Sequence, residues 1–429
     1  MTGSDRPYDI VLFGATGFVG RLTARHLAMK APAGARIALA GRSIARLMAV
    51  RGELGPTATN WPLLTADAAN AEEMADLAKQ TKVMVTTVGP YAKYGMPLVT
   101  ACAEAGTHYA DLTGEVLFVR RSADCLHAKA QASGAKIVHA CGFDSVPSDL
   151  GVLLTADQAA ADGAGELGVT TLYVRGMKGG FSGGTIDSMR TQAIEMGASA
   201  RDRRIVADPH GLSPDRAAEP SSRRREQATP QRGPVGVATA TVTGLIKNLP
   251  VRRTEEGHWT GPFVMASFNT RIVRRSNSLL GHRYGTQFRY QEVMDFGTSA
   301  TAPLIATGLT AGLAAVAGGM GFRVTRTLLD RVLPKPGEGP SAQSQAAGRF
   351  RMEIEATTTT GARYKSVVAA KADPGYSGTA IMLGQSALCL AYDDLPDRAG
   401  VLTPATAMGT VLADRLRACD FTLTTERLT

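Results

Sequence analysis

"VLFGATGFVG", residues 11–20, decides the fold. The apolar run from Tyr8 to Phe13 reads as a short, fully buried strand of the kind found in parallel sheets. It meets glycines at 14, 17 and 20, and Val19, Leu22 and Leu27 then recur at near-helical spacing. The order is strand, glycine turn, helix. One glycine permits the tight turn, one lets the backbone approach a pyrophosphate with no Cβ in the way, and one lets the helix pack close to the strand. The helix N-terminus offers unpaired N–H groups and the positive end of its dipole to phosphates. The spacing is G-x-x-G-x-x-G rather than the commoner G-x-G-x-x-G, and its force comes from the flanking strand and helix. Gly14, Ala15, Thr16, Gly17, Phe18, Val19 and Gly20 are therefore expected to line a dinucleotide.

The second strand, "RIALAGRS" (36–43), ends in Gly41-Arg42-Ser43. A site for NAD usually carries Asp or Glu here, to bind the ribose 2′-OH, and this strand end has no acid. Arg42 can pair with the 2′-phosphate of NADP(H), and Ser43 can add a hydrogen bond. "NWPLLTAD" gives a third strand ending at Asp67, which can face the adenine ring, and "KVMVTTVGPY" a fourth. In a doubly wound sheet the ligand lies beyond the carboxyl ends of the strands, so Val88, Gly89 and Pro90 should run beside the nicotinamide half. "THYADLTGE" and "AKIVHACGFDSVPSDLG" supply a fifth and a sixth strand end, with Asp111, Thr113, Glu115, Asp144 and Ser145. Tyr91 and Tyr94, which follow the fourth strand, are the first choices for a proton donor, and Asp144 and Ser145 the second. Each has a plainer reading. Ser145 and Asp149 can cap or charge the next helix, Asp111 and Glu115 can cap a turn, and Cys141 reads as a core cysteine.

The 429 residues call for two domains or one with a large insertion, and 44% hydrophobic residues provide a sizeable core. The net charge of +9 comes from short basic runs (201–204, 223–225, 271–275) without interleaved aromatics, which argues against nucleic acid and leaves a phosphate-bearing ligand or an anionic membrane surface. Five scattered cysteines with no C-x-x-C argue against a metal site or a disulfide framework and for a reduced, cytoplasmic protein. No signal peptide fits before the first strand.

The motifs "GATGFVG", "AGRS", "VGPYAKYG", "ADLTGE", "GFDSVPSDLG", "GGFSGGTIDSM" (179–189) and "GVLTPATAMGTVLADRL" (400–416) span the chain. Together they resemble the saccharopine dehydrogenase family, and within it most closely the trans-acting enoyl reductases. That resemblance implies an α/β fold: a Rossmann doubly wound parallel sheet over 1–150, an inserted α+β substrate and dimerisation domain over 151–395, and a C-terminal helix within 396–429 that returns to the first domain. It also implies reduction of a carbon–carbon double bond in a lipid or polyketide-type acyl intermediate, with NADP(H) as the hydride donor, beside a polyketide synthase and with the acyl group on a carrier protein.

In the second half, "ELGVTTLYVRG", "FVMASFNTRIVRRS", "FRYQEVM", "RFRMEIEATTTT" and "ARYKSVVAAKA" alternate as strands of a mixed or antiparallel sheet, which a helix near 377–392 should cover. Ser182, Gly183, Gly184 and Thr185 open a helix and face either the site or nothing but its cap. Residues 201–235 read as a surface loop. Thr403-Pro404 starts a helix whose Ala405, Met408, Leu412, Leu416 and Cys419 form an apolar stripe. No charge occurs between Asp295 and Arg323. That apolar segment, 298–322, reads as a buried or dimer-interface helix, as a peripheral membrane or lipid contact, or as a span, and basic residues at 323, 326, 331 and 335 follow it. Two further functions stay open. A saccharopine-type imine or amino-acid reductase needs an Arg pair for substrate carboxylates, for which Arg175, Arg190 and Arg289 are available. A membrane-associated protein that binds NADP(H) without turnover needs only the first domain and the apolar segment.

Overall fold

Strand β1 (Tyr8–Phe13) is a continuous apolar run because both of its faces are covered, and Ile10, Val11 and Leu12 have no exposed surface. A computed structural model describes residues 6–179, 187–188, 190–192, 194–195, 199–219, 251–320 and 341–429. The first domain alternates: α1 (Phe18–Lys30), β2 (Ile37–Gly41), α2 (Ile44–Glu53), β3 (Leu63–Thr65), α3 (Ala71–Lys79), β4 (Thr81–Thr86), α4 (Tyr91–Ala105), β5 (His108–Ala110), α5 (Val116–Ser133), β6 (Lys136–Val138) and α6 (Val146–Ala161). The strands lie parallel in the order β6-β5-β4-β1-β2-β3, with β13 (Gly400–Leu402) as a seventh strand beside β6. The order reverses between β1 and β4, and the crevice of a doubly wound sheet opens at their carboxyl ends.

The chain continues through β7 (Leu167–Lys178), α7 (Ala200–Ala207), β8 (Arg252–Arg253), β9 (Trp259–Pro262), α8 (Ala266–Leu279), β10 (Arg289–Asp295) and α9 (Ala302–Met320). It ends with α10 (Ala342–Ala346), β11 (Arg349–Thr358), β12 (Arg363–Ala370), α11 (Thr379–Tyr392), α12 (Pro404–Ala407), α13 (Gly409–Arg417) and β14 (Thr422–Arg427). The second sheet runs β14-β12-β11-β7-β10-β9-β8, with β10 parallel to β7 and the other pairs antiparallel. It is the mixed sheet of the sequence reading. Helix α6 starts at the lip of the crevice and packs its far part on β11, β12 and β14, so one helix serves both domains.

Two elements differ from expectation. "FVMASFNTRIVRRS" is not a strand. From Ala266 it forms α8, whose buried Phe268, Ile272, Val273 and Ser276 follow the period of a helix, with Asn269, Arg271 and Arg275 buried among them. Helix α11 does not cover the second sheet. It lies beside α1 across β1, β4 and β5 of the first sheet, and α6 covers the second. The C-terminal stretch contributes more than a helix: β13 extends the first sheet, β14 closes an edge of the second, and Gly409 at φ +52 divides α12 from α13. Thr403 caps α12 through a capping box, and Ala405, Met408, Leu412 and Leu416 are buried as the stripe requires.

Among the described residues no helix is long and apolar enough to cross a membrane. Helix α9 covers β9 and buries Ala302, Ala306 and Thr310, while Leu304 and Ile305 remain 75% and 56% exposed. The loop expected over 201–235 holds α7 and a turn-rich stretch as far as 219, and the rest of it lies outside the described residues.

Candidate active site

The glycine turn assigns each glycine a different task. Gly14 sits at φ +89, and a Cβ there would come within 2.7 Å of Thr87 Oγ1. Gly20 lies against the turn's backbone, where a Cβ would stand 2.2 Å from the Gly14 carbonyl oxygen. Gly17 is the N-cap of α1, is exposed, and has no side chain to bond the first N–H groups of the helix. The nearest atom to its Cβ position is 3.4 Å away, so the face toward the crevice is open for an anion. The turn is held from below by Gly17 N–H donating to Gly14 O at 3.0 Å and Thr87 Oγ1 donating to the same oxygen at 3.1 Å.

Arg42 is exposed at the end of β2 and forms no hydrogen bond or ion pair among the described residues. Its neighbour Ser43 caps α2 by accepting from Arg46 N–H at 3.4 Å. Asp67 is exposed and accepts from Ala69 N–H at 3.0 Å in an Asx turn ahead of α3. Val88, Gly89 and Pro90 form the lip after β4. The residues fit a dinucleotide with a 2′-phosphate: an open helix N-terminus, an unpaired guanidinium, and no acid at the second strand end.

At the other end of the crevice the candidate donors separate. Tyr91 is a core residue rather than a donor. Its ring is 4% exposed and packs 5.7 Å from Phe118, its hydroxyl donates to Thr86 O at 3.2 Å and accepts from Leu112 N–H, and burial pushes its pKa up. Tyr94 is half-buried on the next turn of α4, with Lys93 Nζ 4.8 Å from its ring centroid. Ser145 is buried and turns away to donate to Asn269 Oδ1 at 3.3 Å, which explains why it gives α6 no side-chain cap. Asp144 is half-buried above the Gly114 turn, where a Cβ on Gly114 would be 3.6 Å from its Oδ2 and 3.7 Å from Met265 Cε. Desolvation pushes the Asp144 carboxyl up to about 6.

Buried acids brace this end. Asp111 accepts from Thr113 N–H at 3.1 Å, Ala140 N–H at 3.0 Å and Tyr109 OH at 3.0 Å, and pairs with His139 Nδ1 at 2.7 Å. His139 Nε2 meets Ser122 Oγ at 2.9 Å, an acid–histidine–serine arrangement that is sealed from solvent and ties the loops after β5 and β6 together. Glu115 accepts from Tyr91 N–H, Ala92 N–H and Ser188 Oγ at 2.9, 2.6 and 2.7 Å, and burial raises its carboxyl. A negative group at the start of α4 suits the helix dipole. Ser182, Gly183, Gly184 and Thr185 lie outside the described residues. The residues after them bind the first domain, through Gln192 Oε1 to Val116 N–H at 2.9 Å and Glu195 to Arg121 at 2.6 Å. Cys141 is fully buried and desolvation raises its thiol, as expected of a core cysteine.

Sequence reasoning missed the segment Asp373–Thr379. It clasps both rims of the crevice: the Tyr376 ring stands edge-on to Phe18 at 5.0 Å, and Thr379 Oγ1 accepts from Phe143 N–H at 3.1 Å. Asp373 Oδ1 accepts from Tyr376 N–H at 3.0 Å and its other oxygen has no partner among the described residues. The Asp-Pro-Gly signature marks a turn, but nothing local says that the turn lies over the glycine loop.

The fold and the crevice define a two-domain, dinucleotide-dependent oxidoreductase. Residues 10–138 match the saccharopine dehydrogenase NADP binding domain, so the cofactor is NADP(H). Over 437 residues, with both chains fully covered, the sequence is 46% identical to a trans-acting enoyl reductase of Mycobacterium ulcerans (strain Agy99). Over 440 residues, again with full coverage, it is 49% identical to a chain of Mycobacterium tuberculosis (strain ATCC 25618 / H37Rv) that bears the same name provisionally. The chain belongs to this trans-acting enoyl reductase family, whose first domain is of the saccharopine dehydrogenase type. The fold is also that of the apo L-Glu-forming saccharopine dehydrogenase of Saccharomyces cerevisiae, at a TM-score of 0.53 and 13% identity over 98% of this chain and 100% of that one.

Proposed function

We propose that the protein reduces the carbon–carbon double bond of a long-chain enoyl thioester, a lipid or polyketide-type intermediate presented on a carrier protein by a polyketide synthase. The full-length likeness to trans-acting enoyl reductases carries this reading. NADPH, when bound, supplies the hydride. The chain does the rest. The open N-terminus of α1 and Arg42 hold the phosphates. Phe18, Phe143, Met265 and Tyr376 give the crevice apolar walls that exclude water and favour an acyl chain over a charged one. Desolvation lets Asp144 keep its proton up to about pH 6, well above an ordinary carboxylate, and the protonated fraction delivers it as negative charge develops on the thioester oxygen and α-carbon. Tyr94 is the second candidate for that proton.

The imine or amino-acid reductase reading is left without an Arg pair for its carboxylate clamp, since of its three candidates only Arg289, exposed on β10, is not already engaged among the described residues. Arg175 is already saturated by Asp295, Glu353 and Glu355, the last two at 3.0 Å, and Arg190 pairs with Asp187 at 3.6 Å. The exposed Leu304, Ile305 and Leu309 of α9 support a peripheral lipid contact or a homodimer through this helix. The test of function is spectroscopic. Purified protein should oxidise NADPH with a trans-2-enoyl thioester of long chain and not with an amino acid plus an oxo acid. Oxidation only with the second pair would replace enoyl reduction by imine reduction. Oxidation with neither would favour a binding protein without turnover.

A further inference from the structure

A groove runs along α1 outward from the glycine turn. Its volume is 460 Å³, and Thr16, Phe18, Arg21, Leu22, Arg25 and Glu53 line it together with Gln345 of α10. Phe18, Arg21, Leu22 and Arg25 share one face of the helix, at the spacing i, i+3, i+4 and i+7. The inner end of the groove is the glycine turn itself, through Thr16 and Phe18. From Phe18 to Arg25 the helix rises by about 10 Å at 1.5 Å per residue. The groove is therefore a channel from the surface to the rim of the crevice, floored by Phe18 and Leu22 and walled by two guanidiniums one turn apart.

The charges along it are unbalanced. Helix α1 carries Arg21, Arg25 and Lys30 and no acid. Among the described residues Arg21 has one partner, Glu53 at 3.3 Å, with both side chains more than 40% exposed, so the pair is weak and easily exchanged. Arg25 is exposed and has no partner among the described residues. Beyond the groove the same helix exposes Met29 at 67%, and the neighbouring α2 exposes Met48 at 55%, in contrast to the buried Leu27 and Leu47 of the same two helices. Exposed methionines beside the unpaired Arg25 and the weakly paired Arg21 make a surface that adapts to an apolar, acidic partner.

We propose that this groove receives the phosphopantetheine arm of an acyl carrier, with Arg21 and Arg25 on its phosphodiester and Phe18 and Leu22 against its pantetheine chain. The proposal rests on the enoyl-reductase reading and adds the route by which the substrate enters. Planar guanidiniums bind phosphate oxygens by paired, charge-assisted hydrogen bonds, and two of them one turn apart can share one phosphate. The arm then points along α1 toward Phe18 and Tyr376, where the acyl group enters the apolar end of the crevice.

Two probes that differ by one phosphate test it: the trans-2-dodecenoyl thioesters of 4′-phosphopantetheine and of pantetheine. In the wild type, kcat/KM should be higher for the phosphorylated thioester, mainly through KM. In R21Q/R25Q that advantage should fall about tenfold, with the Kd for NADPH within twofold of wild type, which also reports that the site is folded. Equal losses on both thioesters would overturn the proposal, and so would a weakened Kd for NADPH that accounts for the loss, since the arginines would then serve the cofactor. A wild type that does not distinguish the two probes would overturn the groove while leaving enoyl reduction in place. A wild type that reduces neither would overturn enoyl reduction and the groove with it.

Discussion

Replacing Gly17 and Gly20 by alanine, one at a time, separates the turn's two tasks. In Gly20→Ala the new Cβ would stand 2.2 Å from Gly14 O and 3.0 Å from Ala15 Cα, both backbone atoms. The carbonyl cannot swing away, because it accepts from Gly17 N–H at 3.0 Å and Thr87 Oγ1 at 3.1 Å. Alanine gains about 1 kcal/mol over glycine inside a helix. Overpacking against an immovable group costs about 1–3 kcal/mol or more. A 2.2 Å approach to a fixed backbone oxygen belongs at the upper end of that cost, about 3 kcal/mol, so the expected net is a loss of about 2 kcal/mol in stability, with α1 pushed off β1. In Gly17→Ala the nearest atom is 3.4 Å away and the backbone, at φ −73, is open to any residue. Stability should change by only a few tenths of a kcal/mol to about 1 kcal/mol, the cost of a poorer N-cap. The methyl instead occupies the face where the phosphates approach, and NADPH binding should weaken at least tenfold, about 1.4 kcal/mol. Urea unfolding and calorimetric titration of NADPH, run on both variants, read the two effects separately. A folded Gly17→Ala protein that binds NADPH as tightly as wild type would refute the assignment of Gly17 to the pyrophosphate, and a Gly20→Ala protein of undiminished stability would refute the packing argument.

Arg42→Gln removes a charge-assisted contact of about 1.5–3 kcal/mol, so NADPH affinity should fall roughly tenfold to a hundredfold while NADH affinity stays put; a parallel fall in both by titration contradicts the 2′-phosphate assignment. Asp144→Asn should keep NADPH bound and lower kcat by about a hundredfold or more, and wild-type kcat should decline as pH rises through about 6, where the carboxyl loses its proton. If Tyr94→Phe rather than Asp144→Asn slows turnover, the donor is Tyr94. Glu292, buried at 4% exposure between Asn269 Nδ2 at 3.0 Å and Tyr290 OH at 2.9 Å, has its carboxyl lifted from 4.5 to about 7 by burial. The native state therefore keeps a proton that the unfolded chain has released, and stability falls as pH rises from about 4.5 to about 7, by on the order of 3 kcal/mol from this group. Denaturation of Glu292→Gln across that range should show a shallower decline than wild type, and equal slopes would mean that the folded carboxyl titrates normally.

What the amino-acid sequence determined by itself is local. The succession of six strands with their helices, and the glycine turn, follow from short-range rules: apolar runs covered on both faces, glycine where a Cβ cannot fit, and helices opening within a few residues of each strand. Thr403 and the stripe from Ala405 to Leu416 were legible for the same reason, since cap and period are properties of neighbouring residues. What only the tertiary structure decided depends on residues far apart in the chain. Helix α8 looked like a strand because its buried face carries Asn269, Arg271, Arg275 and Ser276, polar groups made bearable there by partners distant in sequence. The hydroxyls of Tyr91 and Ser145 were open to the crevice on paper, and tertiary hydrogen bonds to Thr86 O, Leu112 N–H and Asn269 withdrew them from it. The clasp of Tyr376 on Phe18 and of Thr379 on Phe143 joins residues more than two hundred positions apart. No period or spacing encodes such a contact, because it forms only when α11 packs beside α1 and carries the turn before it onto the mouth of the crevice.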